Sequence, residues 1–529
     1  MSIYDTLNEQ QREAVFYTEG PLLILAGAGS GKTRVLTHRI AYLIEEQQVN
    51  PWNILAITFT NKAAGEMRER VDKLVGYGSE SIWVSTFHSM CVRILRRHID
   101  LLGYDTNFTI YDSDDQKTLM REVCKLLQVD TKMFRERALL SEISKAKDEL
   151  VTPQEYRMRA EGDYSRKKIA EVYEEYEKQL RSNNALDFDD LLFKTVQLFQ
   201  TQKDVLEYYQ ERFRYIMVDE YQDTNTVQFE LIHLLASKYR NLCVVGDDDQ
   251  SIYKFRGATI ENILSFEEQF EKARVIRLEQ NYRSTKRILD AANEVIANNT
   301  ARKGKSLWTG NGEGEKICLY RAGDERSEAQ FITEEIISHV AAGDAYSDHA
   351  VLYRMNAQSG EIEKALVKAG IPYKIVGGLR FYDRKEIKDL IAYLSVLNNP
   401  NDTVRLTRII NEPKRGIGDA TVAAVMELSA QLGVPPLQIM ADADQYQKLQ
   451  RRSTALRAFA DMMQGLIEKA LEEPLEILLD AVLDDTGYLS MLQLQGFEGQ
   501  TRIENIDELR SSIIKFQQEA PQGTLSDFL

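Results

Sequence analysis

The sequence predicts an α/β fold in which a parallel sheet is covered by helices on both faces. Short apolar runs that end at glycine or polar residues alternate with longer amphipathic stretches, and alternation of this kind builds a parallel sheet. A strand buried on both faces is a continuous apolar run. The predicted strands are residues 22–26, 54–58, 82–85, 216–218, 242–245 and 275–278, and helices are predicted at 32–48 and 61–75.

A helical insertion interrupts this sheet. Most of the segment between the predicted strands at 82–85 and 216–218 lacks a strand pattern. Residues 113–128, 134–148 and 165–182 have instead the charged amphipathic pattern of surface helices. We therefore predict a helical domain that is looped out of the sheet.

A second α/β unit is predicted after the first. Strand candidates lie at residues 316–320, 350–353 and 373–376, and helix candidates at 325–342 and 358–369 lie between them. From about Lys385 onward the pattern is helical again. The chain is therefore expected to contain a second, mainly helical region.

The composition limits the class of protein. A chain of 529 residues predicts about three or four domains. The four cysteines are far apart and form no C-x-x-C pair, so a reducing cytoplasm is expected rather than a disulfide framework or a zinc site. No apolar run has the length needed to span a bilayer. Residues 1–8 lack the basic start and apolar stretch of a secretory signal.

The net charge of −16 argues by itself against a nucleic-acid binder, because phosphate contacts need Lys and Arg. The charge is not evenly spread, since residues 461–529 hold much of the acidic excess. A local basic groove elsewhere in the chain is compatible with this distribution.

The strongest chemical signal is the glycine-rich segment AGAGSGKT at residues 26–33, which lies between a predicted strand and a predicted helix. Small residues let backbone N–H groups close around phosphate oxygens at the helix N-terminus. Lys32 would reach the β- and γ-phosphates, and Thr33 would hold Mg²⁺. The alternative is an ordinary glycine loop. The predicted ATP-binding residues here are Ala26, Gly27, Ala28, Gly29, Ser30, Gly31, Lys32, Thr33 and Arg34.

Two carboxylates follow the predicted strand at 216–218, in the sequence VDEYQ. Ligands bind beyond the carboxyl ends of the strands in open α/β sheets. Asp219 would hold Mg²⁺ through coordinated waters, and Glu220 would orient and deprotonate the attacking water. Acidic residues after a strand are common, so the functional interpretation depends on the glycine-rich loop predicted in the same sheet.

The segment GDDDQ at residues 246–250 also follows an apolar strand. The Gln250 amide could sense a γ-phosphate, but a polar turn with three solvated acids explains the sequence equally well. The next residues, SIYKFRG, mix aromatic rings with cations, as single-stranded nucleic acid requires. An amphipathic segment with its rings in a core is the alternative. Further along, Arg283 could face a phosphate and Tyr282 could offer a ring to a base.

Seven segments occur in a characteristic order: LNEQQ, AGAGSGKT, TFTNKAAGEMRER, STFHS, VDEYQDTN, VVGDDDQSIYKFRGA and LEQNYRST. Together they resemble the superfamily 1A DNA helicases of the UvrD/PcrA/Rep group, from about Leu7 to the last residues. The resemblance implies two RecA-like P-loop domains, the second incomplete, with two mainly helical inserted domains. The implied domains are 1A at 1–109 and 187–279, 1B at 110–186, 2A at 280–384 and 2B at 385–529.

The resemblance also implies residue roles at an ATP site. Gln11 would read the adenine edge and Tyr282 would stack on the adenine. Gln250 and Arg283 would contact the γ-phosphate and couple it to domain movement. Lys32, Thr33, Asp219 and Glu220 would have the roles given above, with ATP and Mg²⁺ as the implied ligands.

A path for single-stranded DNA is implied as well. Tyr253 and Phe255 would stack on bases, and Phe255 stands where the family usually has tryptophan. The segment PKRGIG at 413–418 resembles the family's duplex-contacting loop. The implied DNA-binding residues are Phe59, Thr60, Asn61, His88, Phe188, Tyr253, Phe255, Lys414, Arg415, Gly416 and Gly418.

One departure from the family pattern concerns the end of the sequence. The T-x-H-x-x-K-G-L-E segment and the late T-R-A motif are absent, and residues 526–529 resemble the middle of a 2B helix. The leading hypothesis is an ATP-dependent 3′→5′ translocase that unwinds DNA at single/double-strand junctions in repair or replication, as a cytoplasmic monomer or weak dimer. The alternative is a truncated fragment that binds ATP and DNA without efficient hydrolysis. A P-loop kinase lacks a recognisable acceptor site here, and a GTPase lacks N-K-x-D.

Overall fold

The computed structural model describes residues 2–76, 78–300, 302–376 and 381–529. The chain divides into two units. The larger unit consists of Met1–Gly312 with Lys385–Leu529, and the smaller unit is Glu313–Arg384. The division into domains 1A, 1B, 2A and 2B remains a prediction.

The larger unit is organised around a six-stranded parallel sheet with the strand order β3-β2-β6-β7-β1-β8. Each strand pairs in parallel with its neighbours. Two short parallel pairs, β4 with β5 and β9 with β10, lie outside this sheet. The strands are β1 Leu22–Ala26, β2 Ile54–Thr58, β3 Trp83–Thr86, β4 Thr109–Ile110, β5 Ala185–Leu186, β6 Tyr215–Val218, β7 Leu242–Gly246, β8 Arg274–Leu278, β9 Gln280–Asn281 and β10 Trp308–Thr309.

Helices cover both faces of this sheet. Alternate residues of β1 belong to different cores: Leu23 and Leu25 lie in one, and Leu22 and Ile24 in the other. A strand with two covered faces needs apolar residues at every position. The helices before the smaller unit are α1 Glu9–Phe16, α2 Lys32–Glu45, α3 Asn61–Leu74, α4 Phe87–His98, α5 Ser113–Leu126, α6 Glu136–Asp148, α7 Pro153–Arg159, α8 Tyr164–Ser182, α9 Phe188–Thr201, α10 Lys203–Arg212, α11 Thr226–Ala236, α12 Glu261–Leu264, α13 Phe266–Gln269 and α14 Lys286–Ile296.

The segments predicted as helices between the third and fourth strands of the main sheet are confirmed as α5, α6 and α8. With α7 they form an apolar core that Val404 of the later helical region also joins. The two ends of the insertion meet, because β4 pairs with β5. The chain therefore leaves the sheet region and returns to it at one place.

The predicted strands of the main sheet are confirmed with small shifts. The third strand is Trp83–Thr86 rather than 82–85, and the helix predicted at 32–48 ends at Glu45. These ends differ because an apolar pattern locates the middle of an element better than its last hydrogen bond.

The smaller unit contains the helices α15 Glu325–Ala342 and α16 Ser359–Lys368, which share a small core of Ile336, Leu366 and Ile371. The strands predicted at 316–320, 350–353 and 373–376 are wrong for this structure, since none of these described residues is in a strand. A strand needs backbone hydrogen bonds to a neighbouring strand. These apolar segments lack such pairing and leave Leu319 and Leu352 exposed.

The region after Lys385 is helical, as predicted, and packs on the insertion. Tyr111 Oη donates a hydrogen bond to Asp402 Oδ1 (2.7 Å), and Asn399 Nδ2 donates to Thr109 Oγ1 (3.0 Å). Among the described residues, every helix is too short or too polar to span a bilayer. The helices of this region are α17 Lys385–Asn398, α18 Thr403–Ile409, α19 Asp419–Leu432, α20 Pro436–Ala441, α21 Ser453–Glu472, α22 Leu475–Asp485, α23 Tyr488–Gln493, α24 Gly496–Glu519 and α25 Leu525–Phe528.

Candidate nucleotide and nucleic-acid sites

The glycine-rich loop joins β1 to α2 in a conformation that only glycine adopts readily. Gly29 and Gly31 have φ values of 66° and 89°, in the left-handed region. A Cβ on Gly29 would also lie 2.6 Å from Asn281 Nδ2. Lys32 is the first residue of α2, so the N-terminus of a 14-residue helix and its unpaired N–H groups face the loop.

The other predicted residues of the loop make contacts within it and at both of its ends. Ala26 is the last residue of β1. Ser30 is buried, and its Oγ donates to the Gly27 carbonyl oxygen (2.7 Å). Arg34 Nη2 donates to Thr6 Oγ1 (2.6 Å). Ser30 therefore supports the turn from within, while Arg34 attaches the first turn of α2 to the N-terminal segment.

A cleft of about 410 Å³, named the nucleotide cleft after its predicted ligand, opens beside this loop. It brings together side chains from the loop, from the segments that follow β6 and β7, and from the segment after β9. Lys32 Nζ lies 3.9 Å from Glu220 Oε2 across the cleft. The lining residues are Ala28, Gly29, Gly31, Lys32, Thr33, Arg34, Arg70, Glu220, Gln250, Tyr282 and Arg283.

The two carboxylates after β6 have different surroundings. Asp219 is 6% exposed, and burial, followed by the charge of Glu220, raises the pKa of Asp219 to about 6. Glu220 has a φ of 50°, an uncommon conformation for a residue with a side chain. Its Oε2 accepts a hydrogen bond from Gln222 Nε2 (2.9 Å). Glu220 thus lines the cleft, and Asp219 lies behind it.

Oxygen donors suitable for Mg²⁺ are present at the loop and at β6. Thr33 lines the cleft, and the Glu220 backbone N–H donates to Asp219 Oδ1 (3.0 Å), which places Asp219 next to a cleft residue. Hydroxyl and carboxylate oxygens are ligands that Mg²⁺ prefers. The donor chemistry therefore fits the predicted ion.

The predicted adenine-reading residue, Gln11, is buried against the loop. Its Nε2 donates to the Ser30 carbonyl oxygen (2.9 Å) and its Oε1 accepts from the Asn8 N–H (3.1 Å). Asn8 Nδ2 in turn donates to Tyr282 Oη (2.9 Å). Asn8 is a contact that the sequence reasoning missed, although it lies within the quoted LNEQQ segment.

The three aspartates of GDDDQ are not a solvated turn. Asp247 and Asp248 are buried, and the carboxylates of Asp247, Asp248 and Asp249 all contact Lys305. Gln250 lines the nucleotide cleft. The alternative hypothesis of three solvated acids is therefore wrong for this structure, and Lys305 is a residue that no sequence motif indicated.

A second cleft, of about 750 Å³, lies between α6 of the insertion and the sheet region. Its lining on α6 includes Ser141, Ser144 and Lys145, which the sequence reasoning missed because α6 carries no motif. On the side of the sheet, the lining includes predicted DNA-binding residues, namely Phe59, Thr60, His88, Tyr253 and Phe255.

Aromatic rings are exposed at this second cleft. Phe255 is 70% exposed, so the alternative in which it belongs to a core does not fit. Its ring centroid lies 6.0 Å from that of Tyr253, and the Arg256 guanidinium lies 5.6 Å from the Phe255 ring centroid. Both rings line the second cleft and are accessible from it.

Two further predicted DNA-binding residues lie close to this cleft. The exposed Phe188 ring lies 6.0 Å from His88, and burial lowers the pKa of His88. Asn61 is exposed and begins α3, directly after Thr60. The predicted path on the sheet side is therefore formed by residues that are neighbours in the structure.

The predicted duplex-contacting segment lies just before α19. Lys414 and Gly416 are exposed, and Gly418 precedes α19 as its N-cap. Arg415 has intramolecular partners, since its guanidinium donates to Tyr393 Oη (2.8 Å) and to the Thr486 carbonyl oxygen (3.2 Å). These contacts suit a structural role for Arg415 better than a direct phosphate contact.

Comparisons with known proteins agree with this arrangement. The model of the UvrD/REP helicase N-terminal domain matches residues 7–271, and the model of the UvrD-like helicase C-terminal domain matches residues 276–529. Proteins named ATP-dependent DNA helicase PcrA are 52% identical to this chain in Staphylococcus aureus (strain Mu50) and 51% identical in Staphylococcus epidermidis (strain RP62A), each over 533 residues. Each alignment covers 100% of this chain and 73% of the relative.

These matches bear on the hypotheses raised by the sequence. The relatives that match this chain are named ATP-dependent DNA helicases, which favours the helicase hypothesis over the alternative of a chain that only binds ATP and DNA. The two family models together match nearly the whole stretch over which the motifs indicated the resemblance. With the loop, Glu220 and Gln250 meeting at one cleft, the chain belongs to the UvrD/REP helicase family.

Proposed function

We propose that this protein is an ATP-dependent DNA helicase that moves 3′→5′ along single-stranded DNA and unwinds duplexes in repair or replication. The observation that carries the proposal is the cleft in which Lys32, Glu220, Gln250 and Arg283 meet. The similar proteins are named ATP-dependent DNA helicases. The polarity and the cellular role follow from the family resemblance.

The side chains around the first cleft have distinct roles in the proposed reaction. Lys32 neutralises charge on the β- and γ-phosphates, and Glu220 accepts a proton from the attacking water. Thr33 and Asp219 would hold Mg²⁺, which when bound offsets phosphate charge. Gln250 and Arg283 contact the γ-phosphate, while Gln11 and Tyr282 hold the adenine.

Two short segments support a link between hydrolysis and DNA binding. The first contains Glu220 at the nucleotide cleft and Asp223 and Asn225 at the second cleft. The second runs from Gln250 at the nucleotide cleft to Phe255 at the second cleft. A shift of either segment on hydrolysis would move groups that contact DNA.

The remaining assignments are also proposals. We assign domain 1A to residues 1–109 and 187–279, 1B to 110–186, 2A to 280–384 and 2B to 385–529. We expect the protein to act as a monomer or weak dimer in the cytoplasm. Lys414, Gly416 and Gly418 would contact the duplex ahead of the single strand.

The direct test uses DNA-stimulated ATP hydrolysis together with strand separation. Duplexes with a 3′ single-stranded tail should be unwound when ATP and Mg²⁺ are present, and duplexes with only a 5′ tail should not. Lys32→Ala serves as the inactive control. Unwinding of 5′-tailed duplexes alone would contradict the proposed polarity, and DNA-independent hydrolysis would contradict the link between the two clefts.

Phe255→Ala should weaken binding of single-stranded DNA and leave ATP binding unchanged. A base stacked on an aromatic ring contributes about 1–3 kcal/mol by alanine substitution. Fluorescence anisotropy of a labelled oligonucleotide measures the change. Tyr164→Ala is the matched control, because Tyr164 is 72% exposed and lies on α8, outside the lining of the second cleft. Equal DNA affinity of Phe255→Ala and wild type would show that the ring does not stack on a base.

A further inference from the structure

A buried lysine holds the aspartates that precede Gln250. The Lys305 side chain is 1% exposed, and its Nζ lies 2.7 Å from Asp247 Oδ1 and 2.9 Å from Asp249 Oδ2. It also contacts Asp248 Oδ1. A lysine is almost never fully buried without such partners. One cation therefore joins three consecutive carboxylates.

The neighbours of Lys305 hold the same loop. Arg302 Nη2 donates to Asp249 Oδ2 (2.8 Å) and to the Lys305 carbonyl oxygen (2.9 Å). The Lys303 backbone N–H donates to Asp248 Oδ2 (2.7 Å). The segment around Lys305 is thus attached to the aspartate loop by side chains and backbone together.

Asp247 contacts both Lys305 and Gln250. While Oδ1 of Asp247 faces Lys305, Oδ2 accepts a hydrogen bond from Gln250 Nε2. The Asp247 N–H donates to Gln222 Oε1 (2.9 Å), and Gln222 Nε2 donates to Glu220 Oε2. Asp247 thereby connects the buried lysine to two residues of the nucleotide cleft.

We propose that Lys305 is a positioning residue for Gln250, holding the aspartate loop so that the Gln250 amide is aimed at the γ-phosphate. This inference rests on the proposed function, in which Gln250 contacts that phosphate. Without the cation, three adjacent carboxylates would repel one another and the loop would lose its main partner. The Gln250 amide could then still donate and accept hydrogen bonds, but it would no longer be held in the orientation that faces the γ-phosphate.

The protonation behaviour of the cluster agrees with a cation between carboxylates. Burial alone would lower the pKa of Lys305, but the charge of Asp247 and the hydrogen bonds to the three aspartates outweigh burial and raise that pKa. Burial alone would raise the pKa of Asp248, but the bonds from Lys305 and the Lys303 backbone lower it. Both directions favour the ionised forms of Lys305 and Asp248.

The test compares binding of ADP with binding of a non-hydrolysable ATP analogue. Lys305→Met removes the charge and keeps most of the unbranched apolar stem. It should lower the preference for the ATP analogue over ADP by at least about tenfold, the size expected for one lost hydrogen bond to a charged partner. ADP affinity should not change. Lys305→Arg, which keeps the charge, should restore much of the preference.

A matched control is available in the insertion. The Lys147 side chain is also 1% exposed and contacts Glu177, Asp187 and Asp190, but it lies away from the nucleotide cleft. Lys147→Met removes a buried cation of the same kind. It should leave the preference for the ATP analogue unchanged, so that a general loss of stability is separated from a loss of positioning.

A double-mutant cycle decides whether Lys305 acts through Gln250. In a Gln250→Ala background, Lys305→Met should have little further effect on nucleotide preference. An undiminished effect there, or an unchanged preference in Lys305→Met alone, would overturn the inference. If Lys305→Met does not fold, Asp248→Asn weakens the same cluster and should lower the preference; an unchanged value would count against the inference. If Gln250→Ala itself has no effect, the proposed role of Gln250 fails instead.

Discussion

Glu220→Gln should reduce DNA-stimulated ATP turnover by about a thousandfold, within the range for loss of a general base. Glu220 faces the nucleotide cleft, and its Oε2 lies 3.9 Å from Lys32 Nζ. Glutamine has the same shape but cannot accept a proton from water. ATP affinity should remain near the wild-type value, because in the proposed site the loop and Lys32 bind the phosphates. Steady-state hydrolysis with saturating single-stranded DNA measures the change.

A control for this experiment is Glu211→Gln. Glu211 is on α10, just before the amino end of β6, and pairs with Arg214 and Lys238. It lies at the opposite end of that strand from Glu220. Its substitution should leave turnover unchanged. Substantial turnover by Glu220→Gln would show that another group accepts the proton.

The main sheet could be predicted because its strands are buried on both faces. The run from Leu22 to Ala26 is apolar at every position and ends at glycine, so its bounds follow from the sequence alone. The smaller unit shows the limit of this reasoning. Its segments at 316–320 and 350–353 have strand-like composition, but a strand also requires a partner, which composition does not reveal.

The meeting of the loop, Glu220 and Gln250 at one cleft could be predicted, because each is part of a local motif. The glycine-rich loop, Glu220 and Gln250 each lie in a short motif after a strand, and parallel strands bring their carboxyl ends to one edge. The role of Lys305 could not be predicted, because it depends on contacts with aspartates that lie far earlier in the chain. The contacts of Arg415 could not be predicted for the same reason, since its partners Tyr393 and Thr486 are distant in sequence.

Lys32→Ala should remove tight binding of Mg·ATP. Lys32 is the first residue of α2 and lines the cleft beside the loop. Loss of a partly buried cation from a phosphate contact should cost about 2–5 kcal/mol of binding free energy. Titration of a fluorescent ATP analogue against wild type and mutant measures the affinity. Lys238→Ala, which removes a surface lysine paired with Glu211, is the control. Equal affinities of Lys32→Ala and wild type would show that the phosphates bind elsewhere, and the role of the loop would have to be abandoned.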